Sequence, residues 1–383
     1  MGMSKGFDVA VIGAGVFGSW IALRLAQAGK KVALLDAYGP ANARSSSGGE
    51  SRIIRMGYGA DELYTRWSMR SLNLWKEFAA KTGDALFHRT GVLWLARERE
   101  TYTAQTLATL GRCGVRTERL TKQELRERYP QFSFEDVDWG LLEPDSGALL
   151  ARRAVQAVVA EALKSGAVFF QAGIAAPNGR GRLPYLTTSS GAIHAEALVF
   201  ACGAWLGKLF PDFLGARIFP SRQEVFFFGV PAGDTRFASP AMPTWLFRDD
   251  QVYGLPDLES RGFKMALDVH GERVDPDSQS RMVSAESAAT IKNYLARRFP
   301  PLADAPIVET RVCQYENTSN GDFLVDRHPD LDNVWLVGGG SGHGFKHGPV
   351  LGEYVAARVT GAGAVEPRFT LGSKTTIQKR AVF

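Results

Sequence analysis

The chain has 383 residues, more than one ordinary domain needs, and its 45% hydrophobic and 22% charged content is that of a soluble globular protein. A formal net charge of +5 is small and dispersed, with no run of Lys/Arg of the kind that makes a nucleic-acid arm, so it supports at most a mild attraction for anionic substrates. Cys113, Cys202 and Cys313 lie far apart without metal-ligand spacing, which excludes a disulfide framework, leaves no metal site to expect, and suits a reducing, cytoplasmic setting.

In chain order, Phe7–Ile12 reads as a buried strand, Gly18–Ala28 as a helix stopped by Gly29, and Val32–Asp36 as a second apolar strand. The run from Val9 to Ala26, with Lys5 ahead of it, imitates a signal peptide or short membrane span. Asp8, Arg24 and the glycines between them favour a strand–turn–helix instead, and no other segment is long enough to cross a bilayer. A Ser/Gly loop follows (Ser45 to Gly49), then Arg52-Ile53-Ile54-Arg55 and an amphipathic helix over Glu62–Lys81 closed by Gly83. Thr90–Ala96 is strand-like, Thr121-Lys122-Gln123-Glu124 has the capping-box pattern, Arg152–Lys164 is helical, and Ala167–Gln171 and Ala197–Ala201 are strands. From Ala216 to Asp268 alternating segments broken by Pro and Gly predict a mostly antiparallel sheet, followed by a helix over Ser284–Phe299. Val334–Val337, a glycine-rich turn to Gly344 and a helix from Gly348 to Val359 complete the pattern; nothing after Pro367 carries a readable motif, and Arg380-Ala381-Val382-Phe383 is no targeting signal. The order is nucleotide-type, strand-rich, nucleotide-type, so the two domains should interleave.

The first chemical signal is Gly13-Ala14-Gly15-Val16-Phe17-Gly18, which follows a strand, opens a helix, and has Asp36 at the end of the next strand. Gly13 allows the tight turn, Gly15 lets the backbone approach a pyrophosphate, and Gly18 lets helix and strand pack closely. Amide donors and a positive dipole end at the helix start suit a dinucleotide, and Asp36 would accept from its ribose hydroxyls. The motif does not separate FAD from NAD.

Together with Arg52-Ile53-Ile54-Arg55, Gly262-Phe263-Lys264, Val312-Cys313-Gln314-Tyr315-Glu316 and Ser341-Gly342-His343-Gly344-Phe345-Lys346, that motif makes the chain resemble the D-amino-acid-oxidase superfamily of flavoproteins, from about Phe7 to Gly361. Within it the likeness is to monomeric sarcosine oxidase, N-methyltryptophan oxidase and pipecolate oxidase. The resemblance implies an α/β plus α+β fold, with a Rossmann-like FAD-binding domain (1–84, 148–216 and 319–383) interleaved with a substrate domain on a mostly antiparallel sheet (85–147 and 217–318). It implies oxidation of the C–N bond of a small amino-acid-like substrate to an imine by FAD. Dioxygen would be the acceptor and hydrogen peroxide a product, in a soluble monomer or homodimer with no membrane or nucleic-acid partner.

The same resemblance assigns roles residue by residue. Cys313 matches the cysteine that bonds covalently to the flavin, a bond that needs a thiolate nucleophile. Lys264 matches the cation at which reduced flavin meets oxygen, and Arg52 an arginine near the flavin. Arg55 and Lys346 match the pair that holds the substrate carboxylate, one as a planar fork and the other as a point charge. Tyr253 and Tyr315 match aromatic pocket positions, with plain core packing as the alternative. Ser45, Ser46, Gly203 and Trp205 fall in cofactor-binding segments. The turn through Gly340, Gly342, His343 and Gly344 precedes a helix, so its amides can face the flavin, with His343 a hydrogen-bonding residue rather than a base. Asp268 and Glu316 stand where the sarcosine-oxidizing relatives have a histidine and a threonine. Two acids there either favour a substrate with an extra cationic or hydroxylated part or pair with nearby Lys or Arg. A flavin dehydrogenase with another acceptor, a 2-hydroxy-acid oxidase, and a non-catalytic electron-relay subunit are the competing readings.

Overall fold

The computed structural model describes residues 6–377; Lys5 and the terminal Arg380–Phe383 stretch lie outside the described residues. The strand Phe7–Ile12 pairs in parallel with Val32–Asp36 on one side and Ala195–Phe200 on the other. Val168–Gln171 and Val334–Gly338 extend this parallel sheet, and Leu324–Arg327 closes it as an antiparallel sixth strand. Alternate residues of the first strand enter different cores: Val9 and Val11 pack under the helices, while Ala10 and Ile12 join Phe200, Phe210 and Leu336 on the other face. Both faces are covered, which is why these strands read as continuous apolar runs. The first helix occupies Val16–Gln27, beginning two residues before the expected Gly18 because Gly15 already serves as its N-cap.

The second sheet has eight strands, in the order Ile307–Thr318, Ile218–Phe228, Phe263–Leu267, Val252–Leu255, Thr244–Phe247, Val92–Ala96, Trp139–Glu143 and Glu118–Thr121. Its pairs are antiparallel except Thr244–Phe247 with Val92–Ala96, which run parallel. Strand alternation sets its two faces. Phe226, Phe228, Phe263 and Met265 pack with Ile291, Leu295 and Phe299 of the helix Ala285–Arg298 and the loop after it, while Val225, Phe227 and Ala266 point the opposite way. Lys264, between Phe263 and Met265, belongs to that opposite face. A small sheet of Ser51–Ile54, Gly147–Leu150 and Phe87–His88 bears Arg52, with Arg55 just past its first strand.

Periodicity alone misses the helix Thr101–Arg112, and in the twelve-residue strand Ile307–Thr318 it is masked because the half-buried positions hold Glu309 and Arg311 while Val308 is exposed. The unread segment after Pro367 is a buttress: Phe369 is fully buried, and Arg368 lies 2.6 Å from both Asp61 and Asp322. It thereby ties the N-cap of the helix Glu62–Thr82 to the turn after Ile307–Thr318.

Helices Val16–Gln27 and Gly348–Val359 approach so closely that a Cβ at Gly352 would stand 2.9 Å from the backbone of Trp20. Gly352→Ala should therefore cost about 1–3 kcal/mol of stability, measured by urea unfolding, because neither helix can move without disturbing the sheet beneath. An unchanged midpoint would show that this contact is slack.

Candidate active site

One cavity of about 440 Å³ runs from the first glycine turn to the inner face of the eight-stranded sheet. At its first end Gly13 has φ +103° and packs so tightly that a Cβ would lie 2.3 Å from the Ala201 carbonyl oxygen. A Cβ at Gly18 would lie 1.8 Å from the carbonyl oxygen of Gly13. Gly15 differs, since its Cβ would meet only Ser47 Oγ, at 3.4 Å, so its bareness faces the cavity. Asp36 accepts from the Ala14 and Tyr38 amides, both at 2.9 Å, and burial raises its pKa. Ser47 Oγ accepts from the Val16 amide at 3.0 Å. Val16, Phe17, Ser45, Ser46, Gly203 and Trp205 line the same space; Ala14 and Gly18 serve the turn from behind it. Cys202 also lines it, although its thiol donates to the Ile12 carbonyl (3.5 Å) and burial pushes its pKa up.

The far end gathers the remaining candidates. Arg52 donates to the carbonyls of Ser46 (2.6 Å) and Ser51 (2.8 Å), and its Nη2 lies 3.6 Å from Cys313 Sγ. Lys264, 3% exposed, donates to the same Ser51 carbonyl at 2.8 Å and to Ser51 Oγ at 3.2 Å. Burial first, then Arg52, drives its pKa well below lysine's ordinary value. Tyr253 and Tyr315 have their pKa values raised, mainly by burial and then by Asp268, so both stay neutral phenols; Tyr315 donates to Asp268 Oδ1 at 3.1 Å.

Arg55 is 7% exposed, its guanidinium set over the rings of Tyr58 (4.7 Å) and Trp94 (4.8 Å) and donating to the Gly57 carbonyl. Among the described residues no carboxylate forms an ion pair with it. Lys346 donates to Tyr58 Oη at 2.8 Å and to the His343 carbonyl at 3.0 Å, so Tyr58 joins the two cations. The Tyr58 hydroxyl is also 2.7 Å from Nε2 of His347, which burial keeps neutral, and 3.1 Å from Nδ1 of His343. Tyr58 was not legible as a site residue, and neither was Glu143. This buried carboxylate accepts from the Met56 and Gly57 amides, Trp94 Nε1 and Ser146 Oγ at 2.7–3.1 Å, and so holds the loop beside Arg55. Only spatial proximity identifies them, since neither sits in a spacing that signals chemistry.

In the second glycine turn Ser341 takes φ +44° and Gly342 φ +77°. Ser341 Oγ donates to the Gly339 carbonyl at 3.0 Å and accepts from the Thr318 amide at 3.1 Å, which fixes the turn. Gly340, Gly342, His343 and Gly344 line the cavity. Glu316, expected to face substrate, lines the cavity beside Gly338 and this turn, and among the described residues its Oε1 has no hydrogen-bond partner. Unpartnered Ser46 Oγ and Glu316 Oε1, together with the bare glycines 15 and 340, fit an elongated dinucleotide with several hydroxyl and amide groups.

Residues 8–358 match the model of a family described as FAD dependent oxidoreductase. The chain is 30% identical to monomeric sarcosine oxidase from Bacillus sp. (strain NS-129), covering 99% of this chain and 100% of that protein. It is 29% identical to peroxisomal sarcosine oxidase from Homo sapiens, over 91% of this chain and 90% of the other. The structure of L-proline dehydrogenase from P. horikoshii superimposes with a TM-score of 0.82 at 23% identity, covering 95% and 96% of the two chains, which shows a shared fold.

Burial raises the pKa of Glu316 from 4.5 to about 7, against the opposing pull of the Gly339 and Gly340 amides. Between those values the folded chain keeps a proton that the unfolded chain has lost, so this group makes stability fall as pH rises through the window. Glu316→Gln removes the effect. The thermal midpoint of the variant, relative to the parent, should climb between pH 4.5 and about 7 and level off above it; a difference independent of pH would contradict the assignment.

Proposed function

We propose that this chain, which belongs to the FAD-dependent oxidoreductase family, oxidises the carbon–nitrogen bond of a small, N-substituted amino acid to an imine, with dioxygen as acceptor. The observation that carries this reading is the buried guanidinium of Arg55, which pairs with no acid among the described residues and opens with Lys346 on the cavity that begins at the dinucleotide turn. A buried cation without a partner is costly, and an anionic ligand offsets that cost. An amino-acid carboxylate suits the planar fork of Arg55 beside the point charge of Lys346.

The chemistry that bound FAD supplies is two-electron acceptance from the amine and return of the pair to dioxygen. The Gly13–Gly18 turn, Asp36, Ser45, Ser46, Gly203, Trp205 and the turn through Gly344 would hold it, and Cys313 would be its covalent anchor, with Arg52 Nη2 at 3.6 Å from its sulfur. Tyr58 sets the Lys346 ammonium, and Glu143 sets the loop that carries the Arg55 acceptor. Tyr253 and Tyr315 wall the site as uncharged rings, so substrate sheds water there and meets only cations at its carboxylate end. Lys264 holds its proton at a cost, and therefore binds it more tightly once negative charge arises beside it on the oxygen side. Strand membership supports assigning 1–84, 148–216 and 319–383 to the FAD-binding domain and 85–147 with 217–318 to the substrate domain. Three free cysteines support a reducing, cytoplasmic location. No helix among the described residues is long and apolar enough to cross a membrane.

Purified protein given N-methyl and cyclic amino acids should consume oxygen and yield peroxide, and the corresponding amines without a carboxylate should be poor substrates. Arg55→Met should raise KM for the amino acid by roughly 10- to 100-fold with a smaller change in kcat, the loss of one charge-assisted contact. Equal KM values for acids and simple amines would overturn the carboxylate assignment. Acid precipitation tests the anchor separately: the yellow colour should stay with the precipitate in the parent and pass to the supernatant in Cys313→Ser.

A further inference from the structure

Lys264 is reached from two sides. The cavity described above meets it from within, and a second cavity of about 220 Å³ meets it from outside. Among the residues that line either space, Lys264 is the one that they share. Arg55, Lys346, Tyr253 and Tyr315 all border the first cavity and none borders the second.

The second cavity is graded. Its rim, Glu259, Ser260 and Arg261, is exposed, whereas Leu258 is 8% exposed and Lys264 at the floor 3%. The rim stands on ion pairs rather than on packing, Arg153 to Glu259 at 2.7 Å and Arg261 to Glu309 at 2.8 Å. Glu259 and Ser260 both lie in the left-handed region, at φ +57° and +60°, a conformation that side-chain-bearing residues adopt only when the surroundings enforce it. Further in, Leu150, Phe227 and Leu258 give the walls an apolar stretch. The charged side chains that also line it, Glu50, Arg153, Glu259 and Arg261, are already paired with one another or with Glu309 and Arg311, so a zwitterionic amino acid would lose hydration there without a free partner, but a small uncharged molecule passes at little cost.

We propose that this second cavity is the passage by which dioxygen reaches the Lys264 amine and hydrogen peroxide leaves it, separate from the way the amino acid takes. The inference rests on the reading of Lys264 as the oxygen-side cation. Per turnover the amine gives up two electrons and two protons, and dioxygen takes up two of each as hydrogen peroxide. No other species needs to cross. The arrangement lets oxygen arrive while the imine product still fills the first cavity.

The test separates the half-reactions by stopped-flow absorbance of the FAD-loaded protein. Leu258→Phe, which narrows the second cavity, should lower the second-order rate constant for reoxidation by oxygen roughly fivefold or more. Anaerobic reduction by substrate, and the Kd of a carboxylate competitor read from the flavin spectrum, should stay at the parent's values. Should Leu258→Phe fail to fold, Arg261→Trp on the exposed rim carries the same expectation. Lys264→Met is the control and should slow reoxidation far more than reduction. If the narrowing variants reoxidise like the parent while Lys264→Met is slow, the passage is refuted and the role of Lys264 stands. If Lys264→Met reoxidises normally, the underlying reading fails instead.

Discussion

A cation held out of water without an ion-pair partner is among the costliest things a fold can contain, and among the described residues Arg55 and Lys264 are two such cations facing one cavity. Each is surrounded by neutral oxygens and rings: Gly57, Tyr58 and Trp94 around the guanidinium, Ser51 and Tyr253 around the amine. Both sheets contribute to keeping them there. The small sheet sets Arg52 and delivers Arg55, and alternation in the strand Phe263–Leu267 turns Lys264 inward between two core residues. Stability is thereby given up at the place where negative charge is to be received, and the three apolar clusters around the two large sheets supply what is lost.

Elements with a strong period and a clear stop were legible in the sequence: the first βαβ unit, the helix from Glu62, the capping box at Thr121 and the final strand–turn–helix. Each obeys a rule that is local, so a window of some fifteen residues contains the whole signal. The strand Ile307–Thr318 was not readable in this way, because its half-buried positions carry the ion pair of Glu309 and Arg311 while Val308 is exposed, and its partner lies far away in sequence. The segment after Pro367 escaped for a related reason, since its meaning lies in Asp61 and Asp322, residues that nothing nearby predicts.

The site divides along the same line. Glycines that serve a turn, and charged residues inside a motif, could be named beforehand, and Gly13, Gly15, Arg52, Arg55, Lys264, Cys313 and Lys346 all border one space. Tyr58 and Glu143 could not, because their importance comes from what they hold rather than from what they are. Glu316 could be named beforehand as well and borders the same space, but it does so against Gly338 at the second turn, whereas its neighbour Tyr315 meets Asp268.

The interleaved first sheet has a consequence for how the protein is made. Phe7–Ile12 leaves the ribosome early, yet the sheet built on it is complete only when Val334–Gly338 has paired with Ala195–Phe200, and the Arg368 clamp arrives later still. Between Ala195–Phe200 and Val334–Gly338 every named strand but Leu324–Arg327 belongs to the eight-stranded sheet, which can form while the first waits. Capture of the prosthetic group therefore waits until Val334–Gly338 has been made. Until then the nascent chain carries an unfinished nucleotide cradle whose apolar strand edges are a hazard for aggregation and a natural target for chaperones.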